Sequence, residues 1–308
     1  MHTKKVLLIA GPTAVGKTAL SLALAKQLNG EIISGDSMQV YRHLDIGTAK
    51  VLPAERAGIP HHLIDIKDVD QRFTVAEFVT RATALINAIT AKGKLPMIVG
   101  GTGFYLQSLL AGFQFGPTDA NPDLAYRQQW FDRAAEEGNQ VVWEALQARD
   151  PAAAAHIAPA NLVRVVRALE YQHTSGQLFS AQSDHATNVL DAYTLCLTAD
   201  RALVYERINR RVDLMMQAGL EAEARWLYAQ GGSDLPAGKG IGYHEFFPYF
   251  EGQRSLAAAV DLVKRDSRHY AKRQLTWFRN KMDVDWVNLL EHPEQRRVID
   301  QRIASWLN

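Results

Sequence analysis

Residues 5–18 constrain this chain more than any other stretch. An apolar run too short for a helix, Val6-Leu7-Leu8-Ile9-Ala10, feeds Gly11-Pro12-Thr13-Ala14-Val15-Gly16-Lys17-Thr18. That segment matches G-x-x-x-x-G-K-[ST], and Ala19 to Lys26 then reads as a helix. Strand, glycine-bounded loop and helix in this order aim backbone N–H groups and a helix N-terminus at one concave spot, which favours a polyanion. Lys17 adds a mobile positive charge and the Thr18 hydroxyl a ligand for Mg²⁺. A fold built on this unit is expected to be α/β and to bind a di- or triphosphate.

The rest of the first third repeats the pattern. Candidate strands at 31–34, 63–66 and 96–99 alternate with helices at 17–28, 74–92 and 103–111. That alternation predicts a P-loop NTPase-like parallel sheet flanked by helices, with ligands beyond the carboxyl ends of the strands. After Phe115-Gly116-Pro117 the pattern changes. From 118 to 188 it is helical only, with Asn121-Pro122-Asp123, Asp150-Pro151 and Asn161 as helix starts and Gly176 as a stop. A strand at 192–197 then resumes the α/β pattern, followed by helices over Arg201 to Gln217 and 254–281. The expected organisation is a core of 1–117 and 189–308 interrupted by an all-helical insertion domain at 118–188.

Charge excludes a global polyanion-binding surface: 34 Lys+Arg against 33 Asp+Glu leave a net +1, so nucleic-acid contact must come from local clustering. Such a cluster lies at 264–281, where seven Lys/Arg face one acid, Asp266. Arg265, Arg268, Lys272 and Arg279 are spaced to share one helical face, which favours a phosphate backbone as partner. The lone cysteine, Cys196, sits in an apolar run and reads as a small buried hydrophobe, so neither a disulfide framework nor a zinc spacing is expected. No stretch approaches a membrane span and none reads as a leader, making a reducing, cytoplasmic location the expectation.

Asp36 follows the second strand on the edge where phosphates would sit, and reads either as a general base or as ordinary Gly-Asp-Ser turn chemistry. The strand at 96–99 ends in Gly100-Gly101-Thr102-Gly103 with no acid for Mg²⁺; Asp65 is the alternative acid, and His61-His62 reads as structural. Together these features suggest transfer of a group from a small phosphorylated donor to a larger acceptor.

Seven motifs in order make the pattern specific. The loop at 11–18, Asp36-Ser37-Met38-Gln39-Val40-Tyr41-Arg42, His61-His62-Leu63-Ile64-Asp65 and Gly100-Gly101-Thr102-Gly103-Phe104-Tyr105 come first. Arg164 to Arg167-Ala168-Leu169-Glu170, Gly240-Ile241-Gly242-Tyr243 and Lys272 to Arg279 follow. From about residue 5 to 281 the chain resembles the bacterial tRNA dimethylallyltransferases (tRNA isopentenyltransferases, the IPP transferase family). The resemblance implies that Gly11, Pro12, Thr13, Ala14, Val15, Gly16, Lys17 and Thr18 hold the diphosphate of dimethylallyl diphosphate, with Thr18 on Mg²⁺ and Arg207 and Arg211 beside the leaving group. It implies transfer to N6 of the adenosine 3′ of a tRNA anticodon, with Asp36 as base and Thr102 and Lys17 supporting. It further implies tRNA contacts from Asp36, Ser37, Met38 and Gln39, from Val163, Arg164, Val165, Val166 and Arg167, and from Lys239, Gly240, Ile241, Gly242, Tyr243 and His244. Lys272, Arg273, Gln274, Leu275, Thr276, Trp277, Phe278 and Arg279 complete that set, and a monomer is expected. Two positions depart from the family pattern: Val163 replaces a commonly polar residue, and Leu124-Ala125 stand near a commonly basic one. A small-molecule or nucleoside kinase, a prenyltransferase of free adenine nucleotides and a non-catalytic RNA-binding module are the alternatives.

Overall fold

The structure, a computed structural model, describes residues 4–113, 123–181 and 190–308. The chain forms two compact units, residues 1–110 with 189–308, and residues 111–188.

In the first unit, six strands among the described residues form one parallel sheet. They are β1 (Lys4–Ala10), β2 (Gly30–Ser34), β3 (His61–His62), β4 (Leu95–Val99), β5 (Leu190–Leu197) and β6 (Asp285–Val287). Their order is β3-β2-β4-β1-β5-β6. β1 is central because residues 6–10 are wholly buried on both faces, each full-sized apolar side chain contributing about 1.5–3 kcal/mol. Its alternation divides the core: Leu7 and Ile9 pack with Leu20, Leu24, Val204 and Ile208, whereas Val6, Leu8 and Ala10 pack with Phe78, Ala82, Ile86 and Phe278. β1 pairs with β4 on one side and β5 on the other, so the chain leaving β1 must pass over β4 to reach β2. Ligands collect at such a switch point, and the loops after β1, β2 and β4 all open there.

Helix α1 (Lys17–Gln27) follows the first loop, α2 (Val75–Ala91) precedes β4, and α3 (Gly103–Leu110) follows it. The strand expected at 63–66 is absent. β3 ends at His62 because Leu63 and Asp65 adopt φ of +61° and +57°, outside the extended region that a strand requires.

The second unit contains α4 (Leu124–Glu137), α5 (Asn139–Arg149), α6 (Pro151–Ala154) and α7 (Leu162–Ser175) around a core of Trp130, Leu146, Val165, Val166 and Leu169. Asp123 caps α4 by accepting from Tyr126 N–H at 2.9 Å, while Asn121 and Pro122 and the expected boundaries near 117 and 188 lie outside the described residues. Asp150 caps a helix of one turn only, and its second oxygen accepts from Ser180 N–H instead. Asn161 stands at the start of α7 without making a side-chain capping bond.

After β5 come α8 (Arg201–Gln217), α9 (Leu220–Ala229), α10 (Phe247–Phe250) and α11 (Leu256–Lys281), which is 26 residues long. β6 and α12 (Gln295–Leu307) carry no sequence signal used above, yet Ile299 and Ile303 complete the core on the α1 side. Cys196 is fully buried on β5, as read, and burial pushes its thiol up to about 12. Among the described residues no helix is long and apolar enough to cross a membrane.

Candidate active site

The loop after β1 is shaped by residues that tolerate unusual backbone. Gly11 has φ +136°, and a Cβ there would lie 2.6 Å from the Leu197 carbonyl oxygen, so no other residue fits. Gly16, at φ +95°, starts α1 without a side-chain cap, leaving the first N–H groups of the helix for another acceptor. Lys17 folds back and donates to the Gly11 and Pro12 carbonyls at 2.9 and 2.5 Å. Burial, then the nearby Arg211, bring its ammonium down to about 8, against a partial opposing pull from Asp36. A partly buried lysine with only carbonyl partners is poised for an anion.

Two arginines one helical turn apart on α8 close this loop. Arg207 Nε donates to the Ala14 carbonyl at 2.8 Å, and an Arg211 amine donates to Thr13 Oγ1 at 3.0 Å. From α11, Gln274 reaches in: its Oε1 accepts from Thr13 N–H at 3.2 Å and its Nε2 donates to the Gly101 carbonyl at 2.9 Å. Gln274 therefore ties the loop after β1 to the loop after β4.

Asp36 sits at the end of β2, where both readings of it hold. Its Oδ1 accepts from Met38 and Gln39 N–H at 2.8 and 3.3 Å, an Asx turn, and the carboxyl also lines the cavity. Burial raises its affinity for a proton, opposed first by those two N–H bonds and then by Lys17. Thr102 Oγ1 accepts from Ser37 N–H at 3.1 Å and donates to Ser37 Oγ at 3.4 Å, which fixes the Asp36 turn against the loop after β4. Gly100 is needed for that contact, since a Cβ would meet the Gly35 carbonyl at 2.3 Å. Tyr270 of α11 lies over the same point; its hydroxyl bonds toward Thr102 and Gln274, and burial, with Asp36 nearby, pushes it up to about 12.

These groups surround a cavity of about 600 Å³, the scale of a small-molecule site, with Lys17, Thr18, Asp36, Gly101, Arg211 and Tyr270 on its wall. Asp65 does not line it. That carboxylate takes Lys50 Nζ at 2.6 Å, so the alternative of Asp65 as an acid beside the phosphates is not met. His62 bonds Glu31, the structural role expected for it, whereas His61 bonds the Ile59 carbonyl and also lines the cavity.

The residues proposed to touch RNA divide by exposure. Ser37, Met38, Gln39, Lys239, Gly240, Ile241 and Gly242 line the cavity. Tyr243 does not offer its ring to a ligand: it is fully buried, and its hydroxyl donates to Glu223 Oε1 at 2.7 Å. On α7, Val163 is 70% exposed and Arg164 is exposed, whereas Val165 and Val166 are core residues of the second unit and cannot contact RNA directly. Arg167 pairs with the buried Glu170. On α11, Lys272, Arg273, Thr276 and Arg279 are exposed, but Gln274 and Phe278 are buried, and Leu275 and Trp277 are partly so. The basic stripe is also less free than its spacing suggests. Arg265 pairs with Asp266, Lys264 with Asp213, Arg268 donates to Asn209, and Arg279 lies over Trp286.

Glu223 and Lys50 were not legible as site residues. Glu223 accepts from the N–H groups of Asp45, Ile46 and Gly47 at 2.8–2.9 Å and so shapes the loop whose Gly47, Thr48 and Ala49 line the cavity. Lys50, buried, holds Asp45, Asp65 and the Tyr41 carbonyl. Their partners lie far away in sequence or belong to the backbone, so no local pattern marks them.

Comparison with known proteins adds an independent finding. The family description "IPP transferase" matches residues 39–281. A tRNA dimethylallyltransferase of Lactiplantibacillus plantarum is 76% identical over 304 residues, covering 99% of this chain and 98% of its own. Among solved structures, the full-length tRNA isopentenylpyrophosphate transferase of Bacillus halodurans is 45% identical with a TM-score of 0.74, covering 99% of this chain and 97% of that one. A eukaryotic dimethylallyltransferase solved acting on tRNA is 30% identical with a TM-score of 0.82, covering 98% of this chain and 78% of that one.

Proposed function

The chain belongs to the IPP transferase family, and we propose that it transfers the dimethylallyl group of dimethylallyl diphosphate to N6 of adenosine 37, 3′ of the anticodon, in tRNA. The observation that carries this reading is the convergence of Asp36 and Lys17 on one cavity at an uncapped helix N-terminus, with Thr102 behind the wall bracing the Asp36 turn through Ser37. In the reaction a bond forms between N6 and C1 of the dimethylallyl group, the C1–O bond breaks, the N6 proton goes to Asp36, and diphosphate leaves. An adenine amine is a weak nucleophile because its lone pair is delocalised, so a partly buried carboxylate with raised proton affinity suits the task. Lys17, Arg211 and the N–H groups of α1 stabilise the leaving diphosphate, and Thr102 with Tyr270 positions Asp36.

The oxygen donor available here, the Thr18 hydroxyl on the cavity wall, suits a hard divalent cation that keeps most of its water. We assign Mg²⁺, which would supply further charge neutralisation on the diphosphate. The anticodon stem-loop is assigned to the exposed cations Lys239, Lys272 and Arg273 of the first unit, in a cytoplasmic, monomeric enzyme.

The deciding experiment incubates the protein with Mg²⁺, labelled dimethylallyl diphosphate and unmodified tRNA. Label entering RNA, and lost when adenosine 37 is replaced, supports the reading. Absence of transfer together with ATP-dependent phosphorylation of a small acceptor would replace it by a kinase.

Two further results are expected. Lys17 holds its proton below about pH 8 and loses it above, so the KM for donor should rise by up to about tenfold per pH unit beyond that point. Lys17→Arg, charged throughout, should remove the break whatever its absolute KM. A KM that stays flat to pH 9.5 or so in the wild type would show that Lys17 does not hold the diphosphate. The double change of Lys272 and Arg273 to Ala should weaken tRNA binding and reduce the slope of log K against log salt by about 1.4–1.8, the value for two phosphate contacts. An unchanged slope would return these residues to an ordinary solvated face.

A further inference from the structure

Beside the segment 240–242, the short stretch His244, Glu245 meets Asp266 of α11. One ligand atom from each lies within 4.8 Å of the other two. Glu245 is only 3% exposed, and its Oε1 has no hydrogen-bond partner, an expensive state for a buried carboxylate oxygen. Its Oε2 accepts from Gly242 N–H at 2.9 Å, which fixes the carboxyl and aims Oε1 at His244 Nε2, 3.5 Å away.

The imidazole is oriented as well. His244 Nδ1 lies 3.0 Å from the Gly240 carbonyl, which can only accept, so Nδ1 carries the hydrogen and Nε2 faces Glu245. A proton shared between an imidazolium and a carboxylate draws the two heavy atoms to about 2.7–2.9 Å, well short of the 3.5 Å found. Two donors bound at about 2.0–2.1 Å to one tetrahedral ion stand roughly 3.3–3.4 Å apart, which is close to it. An Nδ1–H donated to a backbone carbonyl is the orientation that presents Nε2 to a metal.

We propose that His244 Nε2, Glu245 Oε1 and Asp266 bind a divalent first-row transition ion of the zinc class, with water completing the shell. One imidazole and two carboxylates select such an ion over Mg²⁺, and this separates the site from the cation position at Thr18. Asp266 is held by Arg265 through both oxygens, at 2.8 and 3.2 Å. Arg265 is half exposed and free to swing out as the carboxylate closes on the ion. His269, 3.8 Å from Asp266, lies on the open side. Because Gly240 and Gly242 are the groups bonded to His244 and Glu245, the ion staples the cavity-lining segment 240–242 to α11.

The test is calorimetric titration of Zn²⁺ into chelator-treated full-length protein in a non-chelating buffer, with excess Mg²⁺ occupying the Thr18 position. One Zn²⁺ per chain is expected, with affinity at least about tenfold lower in His244→Ala and in Glu245→Gln, since even loss of a supporting group costs that much. Zn²⁺ should also raise the thermal midpoint of the wild type and not that of His244→Ala. Should Glu245→Gln fail to fold, His244→Ala, at a partly exposed position, decides alone. Absence of Zn²⁺ binding by the wild type, or equal affinity in the variants, overturns the proposal.

Discussion

Replacing Asp36 by Asn is expected to lower kcat by about 10²–10⁴ while leaving the affinity for dimethylallyl diphosphate nearly intact. Asn is the informative substitution because Asp36 has two jobs. Its Oδ1 accepts from Met38 and Gln39 N–H, and an amide oxygen can do the same. What an amide cannot do is take the N6 proton. Asp36→Ala, by contrast, also releases the turn that Thr102 braces through Ser37, so its donor and tRNA affinities should fall as well. The difference between the two variants separates chemistry from scaffolding. The same group sets the acid limb of the pH profile. Burial raises its proton affinity, so kcat/KM should begin to fall, as pH is lowered, above the ordinary carboxylate value of about 4. A fully active Asp36→Asn enzyme would remove the base from the mechanism and leave Asp36 with the turn alone.

The loop from Gly11 to Thr18 was legible because its chemistry is contiguous: the backbone geometry, the lysine and the helix N-terminus all come from eight neighbouring residues. Periodicity gave α8 its bounds without error and α11 nearly so. Periodicity did not give phase. Along 272–279 charged, polar and aromatic residues mix, so spacing alone could not tell that Lys272 and Arg273 face outward while Gln274 turns inward to Thr13 and Gly101. The arginine stripe failed in part for the same reason: its members share a face, but α8 and β6 pack beside that face and engage Arg268 and Arg279. The residues 63–66 misled because a short, mostly apolar run looks like a strand even where φ turns positive. Glu223 was invisible for a different reason, since a glutamate in the first turn of a helix is ordinary and its partners are backbone N–H groups more than 170 residues away.

Removal of Glu223 should accordingly be the most damaging change outside the catalytic groups. Its carboxylate satisfies three consecutive N–H groups, those of Asp45, Ile46 and Gly47, together with the Tyr243 hydroxyl. Hydrogen bonds to a charged acceptor contribute about 1.5–3 kcal/mol each when fully desolvated; the partial exposure here reduces that, so Glu223→Ala is expected to cost about 2–4 kcal/mol in all. No nearby side chain replaces it, because Tyr243 already presses on Gly47 so closely that a Cβ there would fall 2.6 Å from the ring. Tyr243→Phe removes one of the four donors and should cost about 1 kcal/mol. Function should follow the loop: Gly47, Thr48 and Ala49 line the cavity, and Gln39 holds the Thr48 carbonyl at 3.2 Å. Loosening them should raise the KM for tRNA more than the KM for donor, whose diphosphate is held by the separate loop after β1. Denaturant midpoints and the two KM values measure this together. An unchanged midpoint in Glu223→Ala would mean that water satisfies the three N–H groups equally well, and that the loop holds its shape without the carboxylate.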